Sequence, residues 1–263
     1  MTEQIEDCDF LVAGAGIAGA SAACALAAHG RVCVVEREPF PGYHSTGRSA
    51  AIFLETYGNA TVRGMTRASR AFLEAPPPGF SDCALTSRRG ALFVADRESL
   101  AALRSHQEVL AAISTTALWV EGRELAEMCP GLDLAHWVAG IFESDALDID
   151  VHALHQGFLR RFKHQGGRLF VDTEILEGER AGGVWRVRTN RQAFRARWIV
   201  DAAGAWADAV AVRLGVRPLG LSPRRRTVVT VDAPEGAAGW PYVGDISDTF
   251  YFKPDAGKLL ASP

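Results

Sequence analysis

A surplus of positive charge, cysteines at metal-ligand spacing and any internal repeat or low-complexity tract are all missing from this chain. Lys+Arg 28 against Asp+Glu 31 leaves a formal net charge of −3. No overall positive field is therefore available to hold phosphate backbones or anionic lipid, and nucleic acid is not an expected partner. Cysteine is scarce: Cys8, Cys24, Cys33, Cys83 and Cys129 make five, an odd number, with no CxxC pair and no histidine at ligand spacing. That points away from a zinc site and toward reduced thiols in the cytoplasm. With 26 Gly, 12 Pro, 48% apolar and 22% charged residues in 263, collagen and disorder are excluded, and a soluble globular chain of one large or two ordinary domains is expected. Nothing argues for a stable protein partner.

Residues 10–28 are nineteen in a row without a charge, which length alone would flag as a membrane span. The run is mostly Ala and Gly, and Glu3, Glu6, Asp7 and Asp9 precede it where a signal peptide needs positive charge, so insertion is not expected. Its glycines need another explanation. Residues 8–13 (CDFLVA) and 31–36 (RVCVVE) read as buried strands, and the alanine-dense residues 17–29 between them as a helix. Further on, the spacing predicts helices over 62–73, 99–113 and 151–162, and strands over 91–94, 168–171, 184–188 and 194–200. Gly182 and Gly183 turn the chain into the 184–188 strand. The tract Pro76-Pro77-Pro78-Gly79 cannot continue a helix and reads as a crossing between domains. His155 sits on the apolar stripe of the 151–162 helix and reads as a satisfied core histidine rather than a catalytic one.

The chemistry lies in Gly14-Ala15-Gly16-Ile17-Ala18-Gly19, between the first strand and the first helix. One glycine makes the tight turn, the next lets the backbone approach a pyrophosphate, and the third lets helix pack on strand. Free N–H groups at the helix start then face the phosphates. Glu36, twenty-two residues after Gly14, ends the second strand where a carboxylate can accept from ribose hydroxyls. The order strand, turn, helix, strand, carboxylate reads as dinucleotide binding; the bland alternative is a tight turn with no ligand. Ala23 and Gly30 extend the motif so that it resembles the fingerprint of flavoproteins of the glutathione-reductase-like FAD fold. The passage Trp198 to Trp206 (WIVDAAGAW) looks like the late strand-turn that passes beside the flavin in those folds.

Residues 36–58 (EREPFPGYHSTGRSAAIFLETYG) closely resemble the amine-oxidising flavoprotein family of D-amino-acid oxidase, glycine oxidase and sarcosine oxidase. Within it the nearest likeness is to the D-arginine dehydrogenase-like D-amino-acid dehydrogenases. Further blocks follow in order: Asp148-Ile149-Asp150 with His152-Ala153-Leu154-His155-Gln156-Gly157, Ala202-Ala203-Gly204-Ala205-Trp206, Val216 to Leu221 (VRPLGL) and Phe250 to Gly257 (FYFKPDAG). The resemblance implies non-covalent FAD and removal of a hydride from the α-carbon of a D-amino acid to flavin N5, giving an imino acid that hydrolyses to 2-oxo acid and ammonia. It implies Gly14, Gly16, Ile17, Ala18, Gly19, Glu36, Arg37, Ser45, Thr46, Ser49, Ala50, Ala51, Glu174, Ile175, Ala203, Gly204 and Trp206 as cofactor-binding residues. It places Arg226 on the substrate carboxylate, with Tyr251 beside it and Tyr57 lining the site. Arg226, Val228 and Thr230 share one face of a predicted strand, so Arg226 alone of Arg224-Arg225-Arg226 is expected to enter the pocket. No metal is expected, and the electron acceptor stays unidentified.

Three departures qualify the likeness. Ala91 stands where the D-arginine enzyme has the glutamate that receives the side-chain cation, and Ile52 stands where it has a histidine. An unpaired buried cation is costly, so an apolar or neutral side chain is expected, with Glu55 as the residue that could rescue a cationic pocket. The chain also ends at Leu260-Ala261-Ser262-Pro263, short of the family segment that supplies a second carboxylate-binding arginine and a glycine-rich turn over the flavin. A fragment or remnant, inactive by itself, is expected from that.

The expected fold is α/β: a Rossmann-like FAD domain over 1–75 and 145–216, with an incomplete α+β substrate domain, its sheet mostly antiparallel, over 76–144 and 217–263. The alternatives to a D-amino-acid dehydrogenase are a glycine or sarcosine oxidase-like amine oxidase, a non-catalytic FAD-binding remnant and an NAD-linked dehydrogenase.

Overall fold

A computed structural model describes residues 5–263. In chain order the elements are β1 Ile5–Ala13, α1 Ile17–Leu26, β2 Val32–Val35, β3 Ile52–Phe53, α2 Ala60–Glu74, β4 Thr86–Arg88, β5 Ala91–Ala95 and α3 Leu100–Ala111. Then come β6 Ala117–Glu121, α4 Gly122–Met128, β7 Ala139–Glu143, β8 Leu147–Ile149, α5 Val151–His164, β9 Arg168–Phe170, β10 Ile175–Ala181, β11 Val184–Thr189 and β12 Ala193–Asp201. The chain closes with α6 Ala207–Arg213, β13 Val229–Asp232, β14 Tyr242–Asp245, β15 Tyr251–Asp255 and β16 Lys258–Ser262. The strands and helices expected around residues 8–36, 151–171 and 184–200 all form. Among the described residues no helix is long and apolar enough to cross a membrane.

Two compact units divide the chain. The first takes the described part of Met1–Ser49, Pro77–Cys83 and Val151–Arg224. Its sheet runs β10-β11-β12-β1-β2-β9. β12, β1, β2 and β9 are parallel, and β10 and β11 add an antiparallel hairpin. β2 is buried at all four positions, as a parallel strand covered on both faces must be. On one face Val12, Ala15, Ala23, Val32, Val34 and Phe162 pack together; on another Leu11, Cys33, Val35, Phe194 and Val210 do. The register sets Ala13 beside Val35 and Asp201, so these strands end level, and their carboxyl ends make the edge where parallel sheets place ligands.

The second unit takes Ala50–Pro76, Ala84–Asp150 and Arg225–Pro263. Its main sheet runs β13-β16-β15-β14-β5-β7-β6 and is antiparallel except for the β14–β5 pair; a smaller sheet runs β3-β8-β4. The boundaries therefore differ from those expected at 75, 145 and 216. Residues 50–76 join the second unit because Ile52 and Phe53 pair with Asp148 and Leu147. The proline tract crosses and returns at once: Phe80 is buried against Gly157, where a Cβ would lie 2.4 Å from its ring, and its carbonyl accepts from Arg160 at 2.7 Å. Neither contact leaves a local sequence signal.

Candidate functional site

A cleft of about 250 Å³ opens at the carboxyl edge of the first unit's sheet. Its floor is the turn at residues 14–19. Gly14 has φ +99, and a Cβ there would come 2.6 Å from the Ala202 carbonyl oxygen. A Cβ on Gly19 would lie 1.9 Å from the Gly14 carbonyl oxygen, so helix and turn touch as the motif requires. A Cβ on Gly16 would meet only Thr46 Oγ1, at 3.2 Å, and would otherwise project into the space a ligand needs. Gly14, Gly16, Ile17 and Ala18 line the cleft, while Gly19 lies buried beneath it.

Side chains from three segments hold this turn. Glu36 Oε2 accepts from the Ala15 N–H at 2.7 Å, and its Oε1 accepts from the Glu38 N–H at 2.9 Å. Thr46 Oγ1 accepts from the Ile17 N–H at 3.0 Å, which covers one of the first-turn donors of α1 that have no partner within the helix, beside Ala18 in the cleft lining. From α5, His155 Nε2 donates to the Ala15 carbonyl at 2.8 Å. Burial keeps His155 below its ordinary pKa, so the imidazole is a neutral structural strut, as its place on the apolar stripe suggested.

The opposite wall is Thr173, Glu174 and Ile175, then Ala202 to Trp206, then Ala209, Val210 and Arg213. Arg213 donates to Glu174 Oε1 at 2.6 Å and to the Ile175 carbonyl at 2.7 Å, and Asn190 Oδ1 accepts from the Glu174 N–H at 2.8 Å. At the rim, the Arg37 guanidinium lies 4.4 Å above the Trp206 ring and the His44 ring lies 4.6 Å from it, tilted by 49°. Glu38 joins both at 2.7 and 2.9 Å, and these partners hold its carboxyl below the usual range. Ser45 also lines the cleft. Ser49, Ala50 and Ala51 do not; Ser49 ends the first unit and the two alanines begin the second. Sequence reading missed Glu38, His44 and Arg213. The spacing Trp206, Ala209, Val210, Arg213 was a usable signal, since one helical face repeats at that interval.

A second group forms within the other unit. Tyr242 is pushed above its ordinary pKa, chiefly by burial and then by Tyr251, Asp248 and Tyr57, while Arg226 pulls the other way. Tyr251, expected at the substrate carboxylate, is thereby the direct ring neighbour of a tyrosine that the sequence did not single out. The Tyr242 and Tyr251 rings stack at 5.6 Å and 21°. Tyr57 is 70% exposed. The strand expected to carry Arg226 begins only at Val229, so Arg226 projects from extended loop rather than from an alternating face; the prolines and arginines before it supply no sheet partner. Its guanidinium meets Asp248 at 3.4 Å, with both side chains exposed.

The departures from the family pattern acquire surroundings here. Ala91 is fully buried in β5, clustered with Leu54 and Ala146, with Ile52, Phe93 and Tyr242 packed against them. Glu55 is already committed to Arg70 at 2.6 Å and Arg67 at 3.6 Å, which overturns its expected availability for a cationic substrate. Nearby, buried Lys253 donates to Asp148 Oδ1 at 2.7 Å and to the Ala51 carbonyl at 3.2 Å. Asp148 Oδ2 accepts from Arg89 at 2.6 Å. Among the described residues no cluster of acidic, histidine or cysteine side chains could hold a metal ion.

The profile of the FAD dependent oxidoreductase (DAO) family matches residues 9–263. Human mitochondrial dimethylglycine dehydrogenase is 26% identical over 154 residues, 57% of this chain and 18% of that protein. The chain thus matches less than a fifth of that relative's length. The solved glycine oxidase of Geobacillus kaustophilus superposes with a TM-score of 0.84 at 21% identity, covering 98% of this chain and 71% of that one. FAD-bound L-alpha-glycerophosphate oxidase of Mycoplasma pneumoniae superposes at 0.82 with 17% identity, covering 98% and 71%. At these identities the two structures establish the fold alone, an α/β flavoprotein fold. The cleft itself fits FAD: a Cβ-free turn, open amides at a helix start for a pyrophosphate, a carboxylate at the end of β2 for ribose hydroxyls, and a small-residue wall at Ala202 to Ala205.

Proposed function

The chain belongs to the DAO family of FAD-dependent oxidoreductases, and from that premise we propose that it oxidises the Cα–N bond of a D-amino acid. The first unit is read as the FAD-binding domain and the second as the substrate domain. When bound, non-covalently in this reading, FAD supplies the acceptor for the two electrons and the hydrogen leaving the α-carbon. The amine loses a proton, the resulting imino acid adds water, and 2-oxo acid and ammonia result.

The chain's own residues hold and orient. One observation carries the reading: Tyr251 stacks on Tyr242 in the second unit, and Arg226 of the same unit holds only an exposed carboxylate, Asp248. A planar guanidinium matches a carboxylate in two-point geometry. The present partner of Arg226 is an exposed carboxylate at 3.4 Å, an arrangement worth little in water, so a substrate carboxylate can displace it. Tyr251 and Tyr57 add hydroxyl donors beside it. Beside Ala91 in register stands Glu143, whose carboxyl is pushed above the usual range by burial; with the commitment of Glu55 to two arginines, this supports a neutral side chain over a guanidinium. Five cysteines, four of them buried and none in a disulfide, support a reducing, cytoplasmic setting.

Dimethylglycine dehydrogenase among the relatives favours a second reading, an N-methylglycine amine oxidised by the same bond change. The test is the visible spectrum of the FAD-loaded, desalted chain during anaerobic addition of D-amino acids, sarcosine and dimethylglycine. Bleaching by neutral D-amino acids is expected. Bleaching only by the N-methylated glycines supports the second reading, D-Arg as best substrate by a wide margin refutes the neutral pocket, and retained flavin without bleaching refutes activity of these 263 residues.

A further inference from the structure

Arg213 ends α6 on the wall of the dinucleotide cleft. Val210, one turn back, and Leu214, next in the chain, are buried in one cluster with Ile175, so the base of the arginine is fixed. A single nitrogen, Nη1, reaches two groups of one neighbouring segment: Glu174 Oε1 at 2.6 Å and the Ile175 carbonyl at 2.7 Å. The ion pair, with side chains 37% and 31% exposed, is worth little by itself. The second bond differs in kind, because Ile175 is buried and its carbonyl belongs to the backbone rather than to a mobile side chain.

The segment so held lies next to the ribose carboxylate. Residues 171–174 join β9 to β10 outside any strand, and Asp172 turns there with φ +49. On one side the Asp172 and Thr173 N–H groups donate to the carbonyls of Glu38 and Glu36, at 3.2 and 2.8 Å. On the other, Asn190 takes both backbone groups of Glu174: its Oδ1 accepts from the Glu174 N–H at 2.8 Å, and its own N–H donates to the Glu174 carbonyl at 3.2 Å. With a pyrophosphate at the start of α1 and a ribose at Glu36, the adenine of a dinucleotide falls beyond Glu36, where Thr173, Glu174, Ile175 and Arg213 line the same cleft.

We infer that Arg213 is a positioning residue for the adenine end of FAD: it ties Glu174 and Ile175 to α6 and so presets the wall against which the adenine lies. Preset, that wall costs the ligand no ordering of its own. Arg213 and its partners all belong to the first unit, so this role rests on FAD as the cofactor and holds whichever amine is oxidised.

Titration of the flavin-free full chain with FAD, followed by flavin fluorescence, and displacement of that FAD by ADP test this without turnover. ADP carries the adenosine and two phosphates but no flavin. R213M is expected to bind FAD about tenfold more weakly than wild type, and ADP by the same factor, because the ligand must then order the segment itself. R213K is expected to stay within about threefold for both, since one nitrogen makes both bonds and an ammonium can replace it. Without ligand, R213M should melt within about 5 °C of wild type, as loss of an exposed pair allows. R213Q replaces R213M if that variant does not fold. Unchanged FAD affinity in R213M, a loss on FAD that ADP does not share, R213K as weak as R213M, a ligand-free melting temperature lower by more than about 5 °C, or a wild type that binds no FAD would each overturn the inference. Failure of the D-amino-acid reading shows separately, as absent bleaching by D-amino acids in a protein that still binds FAD and ADP.

Discussion

Replacing Asp148 by Asn should damage the second unit far more than replacing its partner Lys253 by Met. Asp148 is the single carboxylate between two cations: Lys253 Nζ at 2.7 Å and Arg89 Nε at 2.6 Å, with side chains 6% and 17% exposed against 16% for the aspartate. D148N leaves both cations in place with no counter-charge, and breaking a buried pair from one side costs about 3–5 kcal/mol. At roughly 2–4 °C per kcal/mol for a chain of this size, the melting temperature should fall by roughly 6–20 °C. K253M is different in kind. Asp148 keeps Arg89 on its Oδ2 and so stays paired, an apolar side chain of similar length fills the space, and the Ala51 carbonyl and Asp148 Oδ1 lose a donor, at about 1–3 kcal/mol. The double variant should be more stable than D148N alone, because the second change removes one of the stranded cations. Urea and thermal unfolding of the four proteins, followed by circular dichroism, read these differences. K253M as destabilising as D148N, or a double variant less stable than D148N, would refute the electrostatic reasoning and leave packing as the cause.

Three further outcomes follow from the same structure. Gly19→Ala should destabilise by about 3 kcal/mol or more, since overpacking against backbone has no flexible neighbour to absorb it; Gly16→Ala should melt near wild type yet lose flavin on desalting, because its Cβ meets only a side-chain hydroxyl. Glu36→Gln should weaken FAD about tenfold in a fluorescence titration, an amide having one acceptor oxygen for two backbone donors. His155, depressed by burial, binds its proton less readily folded than unfolded, so the stability it supports is present above about pH 6.5 and is lost as pH falls below that; His155→Gln should flatten that part of a stability-against-pH curve.

The dinucleotide cleft was legible in the chain because its parts are local. Gly14, Gly16 and Gly19 answer to steric demands within a few residues, and β1, α1 and β2 follow from valine and alanine runs with their own turn signals. Glu36 could be named from the end of a strand alone. The substrate side was legible only as likeness. Tyr57, Arg226 and Tyr251 are scattered over some two hundred residues, and an alternation pattern carried too far put Arg226 on a strand that starts at Val229.

What the amino-acid order determined by itself was the turn chemistry, the first unit's parallel strands and the absence of charge or ligand clusters for other functions. Tertiary structure decided the rest. Residues 50–76 belong with the second unit because β3 finds β8, ninety-odd residues away; Glu55 is unavailable because Arg67 and Arg70 reach it from α2; and Tyr242 meets Tyr251 because β14 pairs with β15. Pairings between distant strands depend on which surfaces can be buried together, and a one-dimensional pattern specifies each surface without naming its partner.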